Sequence, residues 1–262
     1  MAGGPYRFVS YERQMNTGVV GALLVNISAV AKPNTPMLPY SIANELICGT
    51  LGRLIGLPVP PCAIVDARGM KGRDDQLFFV SLDCNLTGVS LPPVVANDVV
   101  RIFPDVSTGI LLFDIWIANC DRNTANLSAD LLAKPPAINV FDHSHALLGF
   151  HPGRGEERLK YHRDGLGISW SPKDSFISGQ SRHCLLDAIQ TDGCFGNWIE
   201  RIGKIPDYMI QDSCQAAKGL GIGTAEADAA LEFLKFRRDN LSNLIERHRA
   251  EFKGIANWSL FT

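Results

Sequence analysis

The chain opens in short strand-like runs and closes in long helical ones, and the change comes near its first third. Residues 1–26 mix polar and apolar positions and then reach Ala22-Leu23-Leu24-Val25, just after Gly18-Val19-Val20-Gly21. Glycines between two strand-like runs predict a tight hairpin, or a loop that lets backbone approach a ligand. Ile27 to Lys32 reads as a further strand, closed by Pro33-Asn34-Thr35-Pro36. From Ser41 to Ile55 the period changes. Ile42, Leu46, Ile47, Leu51, Leu54 and Ile55 recur at helical spacing, with Ser41 as the expected N-cap and Gly56 as the stop. Cys62 to Ala67 and Leu77 to Ser81 then form an expected hairpin across a charged turn.

Leu82 to Pro93 lacks periodicity and marks the boundary between a smaller strand-rich lobe and a larger helical one. Beyond it, Val95 to Arg101 is short and apolar, and Thr108 to Ile117 is an apolar helix containing Asp114 and Trp116. Ala137 to Phe141 is a short apolar run. Gly149 to Phe176 is rich in glycine and charge and reads as a long segment, either solvated or holding a substrate or phosphate. His183 to Ile189, Phe195 to Ile202 and Asp207 to Lys218 read as helices. Thr224, followed by Glu226, opens an amphipathic helix through about Phe252, with Leu231, Leu234, Leu241, Leu244 and Ile245 on its apolar side. Its basic residues Lys235, Arg237, Arg238, Arg247 and Arg249 are expected on a solvated face.

Composition narrows this picture. At 262 residues the chain can bury one substantial core or two lobes sharing a cleft. A formal net charge of −2 argues against a general polyanion binder, so direct nucleic-acid binding is not expected. The seven cysteines show no C-x-x-C and no zinc spacing, which predicts thiols in a reducing cytosol. No apolar run approaches the roughly 18 residues that span a bilayer, and residues 1–14 lack a signal-peptide core. The expected location is cytoplasmic.

The candidate chemistry sits in two stretches. Asn119-Cys120-Asp121-Arg122-Asn123-Thr124-Ala125-Asn126 follows the apolar helix, and Asp142 ends the apolar run before His143-Ser144. Asp121, Asn126 and Asp142 offer oxygen donors suited to a hard divalent cation and a hydroxyl nucleophile. The spacing Asp-x-x-x-x-Asn with a later aspartate is that of protein-kinase catalytic centres. By itself such spacing also suits turn formers. Arg122 could order the loop by pairing with a carboxylate. Lys32 at a strand end and Glu45 in the following helix are either solvated or a pair in which the lysine grips nucleotide phosphates.

Taken together these motifs resemble the HipA-like kinases, bacterial relatives of the phosphatidylinositol 3-/4-kinase superfamily. The matching residues are Asn44-Glu45-Leu46, Leu54-Ile55-Gly56-Leu57-Pro58-Val59-Pro60, the loop from Asn119 to Asn126, and Phe141-Asp142-His143-Ser144. Trp198-Ile199-Glu200-Arg201-Ile202 and Phe233-Leu234-Lys235-Phe236-Arg237-Arg238 are similar to the compact members. The resemblance implies a single α+β kinase-like domain over 1–262, with an N-lobe of about 1–83 carrying one main helix and a mostly helical C-lobe of about 84–262. It implies ATP and magnesium as cofactors and a serine or threonine of a protein as acceptor. Asp121 is then the base, and Asn126 and Asp142 hold magnesium. Lys32, held by Glu45, meets the nucleotide phosphates. Backbone near Phe79 and Ser81 reaches the adenine, and Gly18 and Gly21 lie where backbone could approach the nucleotide. The loop departs from the family's frequent Asp-Arg-His at Asn123, and the glycine-loop pattern of the full-length toxin kinases is not recognisable around Gly18. No helix-turn-helix antitoxin is encoded, so a regulator would be separately encoded. The same machinery on a lipid or small alcohol, or a nucleotide-binding pseudokinase, are the alternative readings.

Overall fold

Helix α3 (Pro104–Trp116) is the axis of the molecule, and every residue from Ser107 to Trp116 is buried. A helix apolar on all sides is a core helix rather than a surface one. It begins a turn earlier than its apolar pattern, because Pro104 at the first helical position has the φ the helix needs and no N–H to leave unpaired. A computed structural model describes residues 8–15, 22–67, 76–84, 93–169 and 182–260. Gly18 and Gly21 lie outside the described residues, as do residues 68–75 of the expected charged turn, residues 85–92 of the expected connector, and residues 170–176 at the end of the long charged segment.

The order of elements is mixed α and β. Strands β1 (Phe8–Gln14) and β2 (Leu23–Ile27) pair antiparallel, in line with the expected hairpin. The run from Ile27 to Lys32 is divided: Ile27 ends β2, and β3 (Ala29–Pro33) starts after Ser28. Strands β3, β5 (Leu77–Leu82) and β4 (Cys62–Asp66) form a second antiparallel sheet in the order β3-β5-β4. Against it packs α1 (Ser41–Leu54). Ser41 is the first helical residue and Tyr40 the N-cap, without a side-chain cap. Ile42, Ile47, Leu51 and Ile55 are buried as the pattern predicts, but Leu54, the last helical residue, is 45% exposed.

The rest is mainly helical, around a third small sheet of β6 (Leu127–Asp130) and β7 (Ala137–Val140). Val95 to Arg101 falls largely within α2 (Ala96–Ile102). The charged segment after Gly149 is not all loop: it contains α4 (Gly155–His162), whose Leu159 and Arg158 are buried beneath exposed charges. His183 to Ile189 forms turns instead of a helix. Helices α5 (Phe195–Gly203), α6 (Asp207–Ala216) and α7 (Thr224–Arg247) follow their patterns, with α7 stopping short of Phe252 in a 3-10 turn. Glu226 reaches back to the Gly223 N–H at 2.9 Å and starts α7.

Two contacts fix the helical part around α3. A Cβ on Gly109 would stand 2.4 Å from the Trp198 ring, so α5 reaches α3 only because that position is glycine. Arg237 of α7 is fully buried, contrary to its expected place on a solvated face. It donates to the carbonyls of Ile115 and Trp116 at the end of α3, and to those of His162, Arg163, Gly165 and Leu166 at and beyond the end of α4. Helix ends leave unpaired carbonyls, and one planar guanidinium meets six acceptors there. None of the seven cysteines is in a disulfide. Among the described residues no helix is long and apolar enough to cross a membrane.

Candidate active site

Lys32 stands near the end of β3, directly opposite Phe79 of β5, and its ammonium reaches over α1. Nζ lies 2.6 Å from Glu45 Oε1 and 2.9 Å from Asp142 Oδ1. Glu45 is buried, and its second oxygen accepts the His143 backbone N–H at 3.1 Å. One carboxylate thus ties a strand lysine to the backbone beside Asp142. The neighbouring Asn44 donates to the carbonyls of Ser144 (2.8 Å) and Gly149 (3.1 Å) and accepts from the Leu148 N–H. Helix α1 therefore pins the whole turn after Asp142.

Charge follows from this packing. Burial presses the Lys32 ammonium down, but Glu45 and Asp142 outweigh it and hold the group above its usual range. Burial would raise the Glu45 carboxyl, and the His143 hydrogen bond and Lys32 charge bring it below its usual range. Asp142 feels the same opposition of burial against Lys32, reinforced by Ser144 Oγ at 2.7 Å, and stays ionised well below the usual carboxylate range. Its φ is +62°, a left-handed conformation that aspartate tolerates better than most residues and that often marks functional turns.

The loop from Asn119 to Asn126 is built on Asp114. This carboxylate sits fully buried in α3 and accepts Asn119 Nδ2 at 2.9 Å and Arg122 Nε at 2.8 Å. It also receives His183 Nε2 at 3.0 Å. The Leu185 N–H donates to His183 Nδ1, so the ring proton lies on Nε2, facing Asp114. Burial would raise Asp114, but Arg122 and His183 keep it well below the usual range, while burial lowers His183 itself. Arg122 passes this anchorage on. Its Nη1 donates to the Asn126 carbonyl at 2.7 Å and to the Phe141 carbonyl, joining the loop to the residue before Asp142.

Within the loop, Asn126 Nδ2 donates to the Asp121 carbonyl at 2.7 Å and to Asp121 Oδ2 at 3.2 Å. Asn123 Oδ1 accepts the Ala125 N–H at 2.8 Å, a local turn that accounts for asparagine there. A cavity of about 310 Å³ gathers Lys32, Glu45, Phe79, Ser81, Asn126 and Asp142 on its walls, with Val30, Val59 and Leu82 as apolar lining. That is the low end of small-molecule sites. Asp121 is not among the lining residues and is joined to the cavity through Asn126.

The structure brings together Lys32, Glu45 and Asp142, which the sequence offers as candidates, and adds supports that the sequence does not mark. Asp114 was visible as a carboxylate inside an apolar helix, a placement that demands a buried partner. Asn44 sat beside Glu45 without a role of its own. His183 carried no local signal.

The HipA-like kinase family model matches residues 30–163, more than half of the chain, and that span holds Lys32, Glu45, Asp121, Asn126 and Asp142. No curated protein sequence matches. Among solved structures, the fold is similar to that of the Helicobacter pylori proinflammatory kinase CtkA, with a TM-score of 0.54 and 10% identity over 91% of this chain and 96% of that one. A second is HipA of the Shewanella oneidensis MR-1 toxin–antitoxin system, solved with HipB and operator DNA, at a TM-score of 0.42 and 15% identity over 98% of this chain and 69% of that one. With its loop, its strand-end aspartate and its lysine–glutamate pair inside the matched span, the chain belongs to the HipA-like kinase family.

Proposed function

We propose that this kinase uses ATP and magnesium to phosphorylate a serine or threonine hydroxyl of a protein. The observation that carries the reading is the meeting of Lys32, Glu45, Asp142 and Asn126 on one cavity, with the Asp121 carboxylate bonded to Asn126. In this reading the two-lobed division falls near residue 83, and the nucleotide base lies against Phe79 and Ser81. Lys32, steadied by Glu45, exchanges Asp142 for the nucleotide phosphates.

The donors fit magnesium. Asp142 is held ionised, and the Asn126 nitrogen is spent on Asp121, which leaves the amide oxygen available. Magnesium is ordinarily held by one or two protein oxygens and completed by phosphate and water. Among the described residues no three His, Cys, Asp or Glu side chains gather into a larger ligand set. Asn126 and Asp142 would hold the ion, which offsets the charge gathering on the phosphate oxygens. Asp121 takes the proton of the acceptor hydroxyl as its oxygen bonds to the γ-phosphorus. The bond from that phosphorus to the bridging oxygen breaks, and ADP leaves with its electron pair.

The test is transfer of label from γ-labelled ATP with magnesium. Asp121→Ala and Asp142→Ala are each expected to lower transfer at least about 100-fold while thermal melting still reports a folded protein. Full transfer by both variants sinks the assignment. A wild type that ATP and magnesium stabilise but that transfers nothing to any protein acceptor would be a binding module instead.

A further inference from the structure

His145 belongs to none of the groups discussed above, yet it faces the proposed base. Its Nδ1 lies 3.2 Å from Asp121 Oδ2, and the two side chains are 20% and 21% exposed, at the edge of the interior rather than deep within it. The approach has the distance of an ion pair without the alignment of a hydrogen bond. Bonds of this kind in ligand-free sites commonly tighten when substrate orders them.

The backbone that carries His145 is fastened, and an aromatic neighbour orients its ring. The Leu147 N–H donates to the Ile117 carbonyl at 3.0 Å, and Cys120 Sγ approaches the His145 carbonyl at 3.7 Å. Arg158 bonds the carbonyls of Ala118 and Leu147 together. The turn after Asp142 is therefore fastened along the segment that leads into Asp121. Phe150 stands edge-on to the imidazole, centroids 5.1 Å apart at 85°. Rotation of the ring away from Asp121 would break that aromatic contact.

The two oxygens of Asp121 are not equivalent. Oδ2 meets Asn126 Nδ2 at 3.2 Å and His145 Nδ1 at 3.2 Å. Among the described residues Oδ1 meets Asn123 Nδ2 at 3.4 Å, a weak contact. A carboxylate with one oxygen tied presents the other. We infer that His145 is a positioning residue for Asp121: it donates Nδ1–H to Oδ2 and so turns Oδ1 toward the acceptor hydroxyl. This rests on the reading of Asp121 as the base. The proton of the hydroxyl goes to Oδ1, and the imidazole keeps its own.

Three substitutions separate this role from others. In His145→Asn an amide nitrogen replaces Nδ1, in His145→Gln it falls near the position of Nε2, and His145→Ala has no donor. The rate is read as label passed from γ-labelled ATP with magnesium to casein and to the chain itself. His145→Ala and His145→Gln are expected to lose roughly 10- to 100-fold in kcat, the size of effect that follows a misplaced catalytic group. His145→Asn should stay within about threefold of wild type, because the donor is kept. KM for ATP should not move, since His145 does not line the nucleotide cavity. In an Asp121→Ala background, His145→Ala should slow the reaction no further.

Full rate in His145→Ala overturns the inference, and so does a His145→Asn as slow as His145→Ala, because a donor at the Nδ1 position would then not be what Asp121 needs. A second measurement does not depend on transfer. The imidazole 15N shifts of His145 should report a proton on Nδ1 in wild type and change in Asp121→Ala. An unchanged spectrum overturns the contact even where Asp121→Ala is inactive. A changed spectrum in an Asp121→Ala protein that still transfers phosphate overturns the role instead, because the base would lie elsewhere.

Discussion

Glu45 shows what a single side chain does here. Its two oxygens serve different masters: Oε1 takes Lys32 and Oε2 takes the backbone that carries His143. The lysine is thereby shared between Glu45 and Asp142 instead of collapsing onto Asp142. Glu45→Gln removes the charge and keeps the shape. It should lower kcat/KM for ATP by roughly 10- to 100-fold, the worth of one charge-assisted hydrogen bond, in steady-state kinetics with varied ATP. An unchanged kcat/KM would mean that Lys32 needs no holding. At this scale the loop from Asp121 to Asn126 was readable, because Asn123 and Asn126 act on residues within five positions of themselves. Glu45 was readable only as one of two options, because its partners lie 13 and 98 positions away and spacing alone does not bring them near.

At the scale of elements, the helical pattern predicted α1, α5, α6 and α7 well, and it misjudged which face of α7 is covered. Arg237 was expected with its basic neighbours in solvent and instead fills the junction of α3, α4 and α7. Burial and the nearby Arg158 charge press its guanidinium below the usual range, and carbonyls rather than a carboxylate satisfy it. Arg237→Leu leaves those carbonyls unpaired in the interior. It should cost about 3 kcal/mol or more, read by urea unfolding, whereas Arg247→Leu on the exposed side should stay within about 0.5 kcal/mol. Equal effects would mean that the helix ends find other donors. α4 escaped the sequence pattern because it has only eight residues, most of them polar. Its apolar contribution is carried by Leu159 and by the stem of Arg158.

For the whole molecule, the buried charges set how stability responds to pH. Glu45, Asp114 and Asp142 all have carboxyls held below their usual range. A depressed carboxyl adds stability that is present above its unfolded pKa and is lost as pH falls through the folded one. Lys32 is raised, so its contribution is present below its unfolded value and is lost as pH rises past the folded one. These four groups therefore add no slope between about pH 5 and pH 9. The depressed His183 imidazole adds a gradual loss as pH falls below its unfolded range near 6.5, and the three carboxyls make the loss steeper below about pH 4. Urea midpoints measured across that range check this. In Asp114→Asn the acid limb should be shallower, and an acid limb as steep as that of wild type would show that Asp114 is not held as described.

By itself the sequence determined the elements with strong periodicity and the spacing of the Asp121–Asn126 loop, because these depend on position along the chain, and it offered Lys32, Glu45 and Asp142 as candidates. It also pointed to the family that the comparison found. Only tertiary structure decided that Lys32, Glu45 and Asp142 meet, that Asp114 and His183 anchor the loop through Arg122, and that His145 faces Asp121. Each of those contacts joins residues from separate segments. A buried charge is tolerated only where such partners converge, and the chain shows their convergence only once it is folded.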